Sequence, residues 1–202
     1  MSKERLKSPR ARLFVALELP RAIREELGVW QREALVDPAL RPLRAETIHV
    51  TLAFLGYRPE REVEAIGAVI GEVEGPAPEA RLLPEPLPVP RRRPRLYAIE
   101  AESPGMVALA AQVSARLEAA GVYEPERRPF WPHLTVARVR PERGKRQPRA
   151  VKTPPGKLSE ELSEPFLAVR MTLYRSLLRP SGAEYVPMAG LDLPPADRRE
   201  RR

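Results

Sequence analysis

The chain has 202 residues but only two histidines, and both stand in the same short pattern. His49 precedes Thr51 in IHVTLAFLG, and His133 precedes Thr135 in PHLTVARVR. Side chains two positions apart on a β-strand point to the same face of the sheet. Each segment therefore presents an imidazole beside a hydroxyl, while the apolar residues between them face a core.

This pairing suits acid–base chemistry at phosphorus. Imidazole exchanges a proton near neutral pH, and two imidazoles in one cleft can act as base and acid in one reaction. A threonine hydroxyl can donate a hydrogen bond to an anionic oxygen, so a phosphodiester is a suitable substrate. Each histidine could instead be an ordinary strand residue, although the matched contexts argue against that. We predict no metal, because the chain has no cysteine and no carboxylate stands at ligand spacing. We also predict no cofactor, and the sequence lacks a glycine-rich phosphate loop.

The elements around the two motifs occur twice in the same order. A strand over 13–19 and a helix from Arg21 to about Ala34 precede the first motif, and a strand over 96–102 and a helix over 104–120 precede the second. Gly121 is the predicted C-cap of the later helix. The two histidines lie 84 residues apart, and the preceding strands keep nearly the same offset. Such a constant offset indicates an internal duplication.

Other segments fill in the predicted fold. Residues 59–74 have the apolar spacing of a helix. The proline-rich stretch 75–94 is predicted to form an edge strand and an extended connection, because proline cannot donate to a sheet ladder. Residues 165–178 and 184–192 are predicted strands joined by a turn at Ser181-Gly182.

The net charge is +8, and most of the cations are arginines. A basic surface attracts polyanions such as RNA, but abundant arginine can equally reflect a compositional habit. Two basic runs, 91–95 and 141–152, could steer RNA or could be solvated loop charge, and their role stays open. No apolar run is long enough for a membrane helix, and the absence of cysteine fits a reducing compartment. We therefore expect a cytoplasmic protein.

These segments resemble the 2H phosphoesterase superfamily, and within it the RNA 2′,3′-cyclic phosphodiesterases, also called 2′-5′ RNA ligases. The resemblance rests on RLFVALELP, ETIHVTLAFLG, RPFWPHLTVARVR, VRMTLYRSLL and EYVPMAGLD. It implies an α+β fold of two pseudo-symmetric lobes from an internal duplication, each an antiparallel sheet with outer helices, around a central cleft. The expected organisation is a basic arm over 1–11, one bilobal domain over 12–192 with repeats near 13–56 and 96–140, and a disordered tail over 193–202.

The resemblance also implies an activity and its residues. It implies metal-independent opening of RNA 2′,3′-cyclic phosphate ends to 2′-phosphate, with 2′-5′ joining as the reverse reaction. His49 and His133 would be the catalytic pair, and Thr51 and Thr135 would bind the phosphate. Arg138 would add a phosphate contact. It stands five residues after His133, so a regular pleat would point it away from the cleft unless the strand bulges.

Three further residues are candidates for substrate binding. Phe54 holds the same place after His49 that Arg138 holds after His133; we favour core packing for it over stacking on a base. Tyr174 could line the cleft or pack the sheet. Relatives often carry an aromatic residue where this chain has Pro42, and Arg41 or Arg44 could compensate.

The implied partner is RNA with a 2′,3′-cyclic phosphate end, including tRNA fragments, bound by a monomer that has no membrane partner. Two alternatives stay open. The same site could act on small cyclic phosphates or 2′-5′ oligonucleotides, or the chain could be a non-catalytic RNA-binding module. Binding alone has no need of two imidazoles, which argues against the last alternative.

Overall fold

The computed structural model describes residues 9–179 and 182–195. Its strands are β1 (Arg10–Glu18), β2 (Leu40–Pro42), β3 (His49–Pro59), β4 (Glu79–Leu82), β5 (Leu87–Val89), β6 (Leu96–Glu102), β7 (His133–Val139), β8 (Phe166–Leu167), β9 (Arg170–Arg179) and β10 (Gly182–Asp192). Its α-helices are α1 (Arg21–Ala34), α2 (Val63–Gly71) and α3 (Pro104–Ala119).

The strands form two antiparallel halves of one sheet, and β3 and β7, where the halves meet, are joined by a single residue pair. Their order is β10-β9-β1-β3-β7-β6-β4-β8, with β2 beside β7 and β5 beside β6. The central strands β3 and β7 share a single residue pair, Val50 with Leu134. The sheet therefore divides there into two lobes with one histidine motif each, which confirms the predicted α+β fold.

The two lobes repeat the same cross-strand pairing around their histidines. His49 lies opposite Glu18 of β1, and His133 lies opposite Glu100 of β6. Residues directly opposite each other in an antiparallel pair share a face, so each imidazole has a carboxyl neighbour. The two lobes therefore have the same strand register at their histidines, as expected for an internal duplication.

Two helices, α1 and α3, connect the lobes, because each of them contacts the other lobe. Gln31 of α1 donates from Nε2 to the carbonyls of Leu43 and Val136, at 3.0 and 2.7 Å, and Val136 belongs to β7. Trp30 donates from Nε1 to the Lys157 carbonyl at 2.9 Å. In the other direction, α3 follows β6 in the chain but packs on α2 and β3. The lobes thus share one core, which fixes the two motifs relative to each other.

Some element boundaries differ from the sequence prediction. The helix predicted over 59–74 spans only Val63–Gly71, because Pro59 ends β3 and Glu60–Glu62 form a 3₁₀ turn. Within 75–94, β5 is the predicted edge strand, but β4 pairs on both sides, with β6 and β8. That is possible because β4 contains no proline. Gly121 follows α3 with φ +69°, as predicted for a C-cap.

The chain ends extend the fold slightly beyond the predicted limits. The first strand begins at Arg10, and Leu193 is buried, with its N–H donating to the Val169 carbonyl at 3.1 Å. Residues 1–8 of the predicted arm and 196–202 of the predicted tail lie outside the described residues, as does Ser181 of the predicted turn.

Candidate active site

Both motif strands carry a β-bulge at the same place after the threonine. In β3 the register with β1 shifts between Val15 and Ala16, which leaves Leu52 as the extra residue. In β7 an equivalent shift leaves Val136 as the extra residue, 84 positions later. An extra residue reverses the alternation of side chains beyond it. The position five after each histidine therefore returns to the face that carries the imidazole.

The bulges decide where Arg138 and Phe54 lie. Arg138 lines the same cavity as both histidines, because the bulge at Val136 turns it to that face. Phe54 lines that cavity too and is 42% exposed. The favoured prediction that Phe54 packs in the core is therefore wrong, because it assumed an unbroken alternation along β3.

A cavity of about 130 Å³ brings the two motifs together. All four residues of the two His-x-Thr pairs line it, and no aspartate or glutamate among the described residues does. Arg12 and Arg138 supply the cationic side of its wall. A small cavity with two guanidinium groups and no carboxylate in its lining favours an anionic occupant.

His49 is held by contacts at both ring nitrogens and by two aromatic neighbours. Its Nδ1 lies 2.8 Å from the Thr47 carbonyl and its Nε2 lies 3.1 Å from Thr51 Oγ1. The ring stacks on Phe14 with a centroid separation of 5.0 Å, and Tyr185 meets it edge-on at 5.3 Å. A carbonyl oxygen only accepts, so Nδ1 carries the proton. The Nε2 of a neutral ring is then free to accept a proton.

His133 is held in the same way by its own lobe. Its Nδ1 lies 2.8 Å from the Trp131 carbonyl, again two residues earlier in the chain. The Trp131 indole stacks on the imidazole with a centroid separation of 4.2 Å and an angle of 16°. Both histidines therefore use a backbone carbonyl to fix the tautomer and an aromatic ring to fix the plane.

The two imidazoles differ in their electrostatic surroundings. Burial against Phe14 and Tyr185 lowers the pKa of His49 to about 4. The Thr47 carbonyl and the charge of Glu18 act in the opposite direction, whereas the nearby His133 lowers the pKa further. Part of the ring is still open to the cavity, but the protein on its other sides denies it the water that would stabilise a charge. His49 is consequently neutral at pH 7.

Donors for an anion are in place around the rings. Thr51 contacts His49, whereas the Thr135 hydroxyl has no hydrogen bond within the described residues and is available to a ligand. Arg138 has no ion pair with any described residue. Arg12 donates from Nη1 to Ser176 Oγ at 2.9 Å and lies 4.6 Å above the Phe54 ring. Phe54 thus lines the cavity while an arginine covers one face of its ring.

Tyr174 and Arg44 lie beside the histidine cavity but do not line it. Tyr174 donates its hydroxyl to Glu18 Oε1 at 2.7 Å and stacks on Phe14 at 5.4 Å. Both residues border a neighbouring hollow of about 420 Å³ that also reaches His49. Arg44 further borders a hollow of about 310 Å³ with Arg41 and Pro42.

Several residues at the site were not predicted from the sequence, among them Arg12, Phe14, Trp131 and Tyr185. A usable signal existed for the first two, because alternation along β1 places them on the face that also carries Glu18. Trp131 stands two residues before His133, a spacing that also suggests a shared face. Tyr185 comes from β10, and only the three-dimensional pairing of strands brings it to the cavity.

Neither a metal site nor a membrane span is found in residues 9–179 and 182–195. No group of three or more His, Cys, Asp or Glu there is arranged to hold a metal ion. No helix in that part of the chain is long and apolar enough to cross a membrane.

Comparison with known proteins gives a consistent result. The model of the LigT-like phosphoesterase family matches residues 17–83. An RNA 2′,3′-cyclic phosphodiesterase of Thermus thermophilus is 31% identical over 90% of this chain and 90% of its own length. The Escherichia coli K12 protein of the same name is 28% identical over 88% of this chain and 93% of its own. A crystal structure of a Thermus thermophilus protein superposes with a TM-score of 0.75 at 28% identity, covering 92% of this chain and all of that one.

Proposed function

Since the chain belongs to the family of LigT-like phosphoesterases, we propose that it hydrolyses RNA 2′,3′-cyclic phosphate ends to leave a 2′-phosphate. Two relatives that align over most of their length carry the name RNA 2′,3′-cyclic phosphodiesterase. The observation that carries the proposal is the pair of imidazoles in one small anion-binding cavity, each with Nδ1 bound to a carbonyl. Both Nε2 atoms are thereby left for proton transfer.

The reaction follows from that arrangement. A water molecule attacks phosphorus in line with the 3′ oxygen, and the bond between phosphorus and the 3′ oxygen breaks. One imidazole takes the proton of the attacking water, and the other gives its proton to the departing 3′ oxygen. Thr135 and Arg138 donate to the non-bridging oxygens, where charge develops in the transition state. The phosphate remains on the 2′ oxygen, and no step needs a metal.

The site favours one assignment of the two roles. A base must start neutral, and the lowered pKa of His49 keeps it so. The 3.1 Å contact between Thr51 Oγ1 and His49 Nε2 also fits a hydroxyl donating to an unprotonated nitrogen. We therefore assign His49 as the base and His133 as the acid in hydrolysis. With an RNA 5′-hydroxyl in place of water, the same displacement of the 3′ oxygen would give a 2′-5′ bond.

The biological setting belongs to the same proposal. We infer a monomer in the cytoplasm that acts on RNA, with tRNA fragments among its substrates. The basic composition, with a net charge of +8, supports a polyanionic substrate. The proposed domain is the bilobal unit over 12–192 that holds both motifs.

The test is a hydrolysis assay with a short RNA that ends in a 2′,3′-cyclic phosphate, carried out in excess EDTA. We expect turnover to persist, and ³¹P NMR of the product should show a 2′-phosphate monoester. A 3′-phosphate product would overturn the in-line displacement of the 3′ oxygen, and activity lost to the chelator would overturn metal independence.

A further inference from the structure

A second hollow, next to the histidine cavity, is lined largely by arginine. It has a volume of about 400 Å³. Its lining contains no acidic and no aromatic residue and consists of Arg41, Arg95, Arg138, Val139, Arg140, Pro141 and Arg149. We call these five arginines the arginine groove. They include one residue from each of the two basic runs whose role the sequence left open.

Backbone pairing holds the arginine groove in place. Arg41 of β2 lies directly opposite Arg138 of β7. The Val139 N–H donates to the Arg95 carbonyl at 2.8 Å, and the Arg149 N–H donates to the Arg140 carbonyl at 2.9 Å. The five side chains are therefore presented by ordered backbone, although they come from four separate parts of the sequence.

The charge of the groove is only partly compensated within the described residues, by Glu142, whose carboxyl pKa is lowered by its hydrogen bond to Lys145 and also by the nearby Arg149. Arg41, Arg95, Arg138 and Arg140 form no ion pair there, and Arg149 donates from Nε only to the Pro141 carbonyl, at 3.2 Å. Like charges gathered in one hollow repel one another, and an anion among them relieves that repulsion. The planar guanidinium group matches a phosphate with two parallel hydrogen bonds.

The groove is continuous with the proposed active site. Arg138 lines both the histidine cavity and the groove. A phosphate chain that leaves the cavity on the side of Arg138 therefore passes directly between the other arginines. Because none of the described residues that line the groove is aromatic, it offers hydrogen bonds to phosphates but no aromatic ring on which a base could stack.

We propose that the arginine groove binds the backbone phosphates of single-stranded RNA on the 5′ side of the nucleotide held in the histidine cavity. This inference rests on the proposed function and adds that the substrate is an RNA strand, gripped without regard to its sequence, rather than a free nucleotide. The terminal cyclic phosphate reacts in the cavity, and the preceding phosphates supply binding energy in the groove.

The test compares two substrates that differ only in length. Nucleoside 2′,3′-cyclic monophosphate fits the cavity but has no phosphates for the groove, whereas a pentanucleotide with the same end reaches it. In the double variant Arg95→Gln with Arg149→Gln, we expect kcat/KM for the pentanucleotide to fall by about tenfold through KM, with turnover of the monophosphate unchanged. The slope of log kcat/KM against log salt should become shallower by about 1.4, or about 0.7 for each phosphate that is no longer neutralised.

A charge-matched control separates the groove from net charge. Arg32 on α1 and Arg81 on β4 are exposed and line neither the groove nor the histidine cavity. The variant Arg32→Gln with Arg81→Gln should treat both substrates as the wild type does. An equal loss in this control, an unchanged pentanucleotide rate in the groove variant, or an equal loss for both substrates would overturn the proposal.

Failure of the proposed function would be recognised separately. If the wild type hydrolyses neither substrate, the proposed reaction is wrong. Fluorescence anisotropy of a labelled pentanucleotide then tests separately whether the arginine groove binds RNA. Weaker binding by the groove variant than by the control variant supports the groove, and equal binding by both overturns it.

Discussion

The lowered pKa of His49 is open to direct measurement, because the chain has only two histidines. In a pH titration followed by ¹⁵N–¹H correlation spectra of the imidazoles, each ring gives its own signals, and the His49→Asn variant assigns them. We expect His49 to titrate near pH 4, below the ordinary histidine pKa of 6.5. In its neutral form each ring should show the Nδ1–H tautomer, because both Nδ1 atoms face carbonyls.

The same shift predicts how stability depends on pH. The unfolded chain binds a proton at His49 near pH 6.5, whereas the folded protein does so only near pH 4. The contribution of the neutral His49 ring to the free energy of unfolding is therefore complete above pH 6.5 and is lost as the pH falls toward 4. At 1.36 kcal/mol per pKa unit, the full loss is about 3 kcal/mol.

Urea unfolding at pH 7 and pH 4.5 measures this loss. Carboxylates titrate over the same interval, so the comparison is between the wild type and His49→Asn. The wild type should lose about 2 kcal/mol more than the variant on acidification. A His49 signal that titrates at or above pH 6.5, an Nε2–H tautomer, or equal acid sensitivity of both proteins would refute the reasoning and remove the basis for His49 as the base.

Three further substitutions probe the other contacts of the cavity. Thr135→Val removes a hydroxyl donor aimed at the phosphate and should lower kcat/KM by about 10²-fold in the hydrolysis assay; a change below threefold would remove it from the phosphate site. Trp131→Leu removes the ring stacked on His133 and should lower kcat about tenfold, with Trp131→Phe restoring most of the rate; a loss that Phe does not restore would speak against stacking. Tyr174→Phe removes a donor to Glu18 outside the cavity, so kcat/KM should change less than threefold, and a larger loss would place Tyr174 in the reaction itself.

The sequence was sufficient to find the two lobes that carry the histidine motifs, because the His-x-Thr spacing and the 84-residue offset are properties of the chain itself. It could not place Phe54 or Arg138, because a bulge is defined by the partner strand, and the extra residues at Leu52 and Val136 have no local signature. The same limit explains Tyr185, whose strand reaches the cavity only through the order of strands in the sheet.

The basic runs show a related limit. The sequence shows both runs as clusters of basic residues. However, 91–95 and 141–152 each contain several cations that do not line the groove. Which of them meet is decided by backbone hydrogen bonds between distant segments, such as Val139 to Arg95 and Arg149 to Arg140. Sequence spacing alone carries no information about that convergence.

The central claim is that two imidazoles act together on one phosphate, and single-turnover hydrolysis by His49→Ala and His133→Ala tests it most directly. With RNA that ends in a 2′,3′-cyclic phosphate, each variant should react at least about 10²-fold more slowly than the wild type. The RNA dissociation constant should stay within about threefold of wild type, because the guanidinium contacts remain. A variant of either histidine that keeps near-wild-type rates would contradict the two-histidine account.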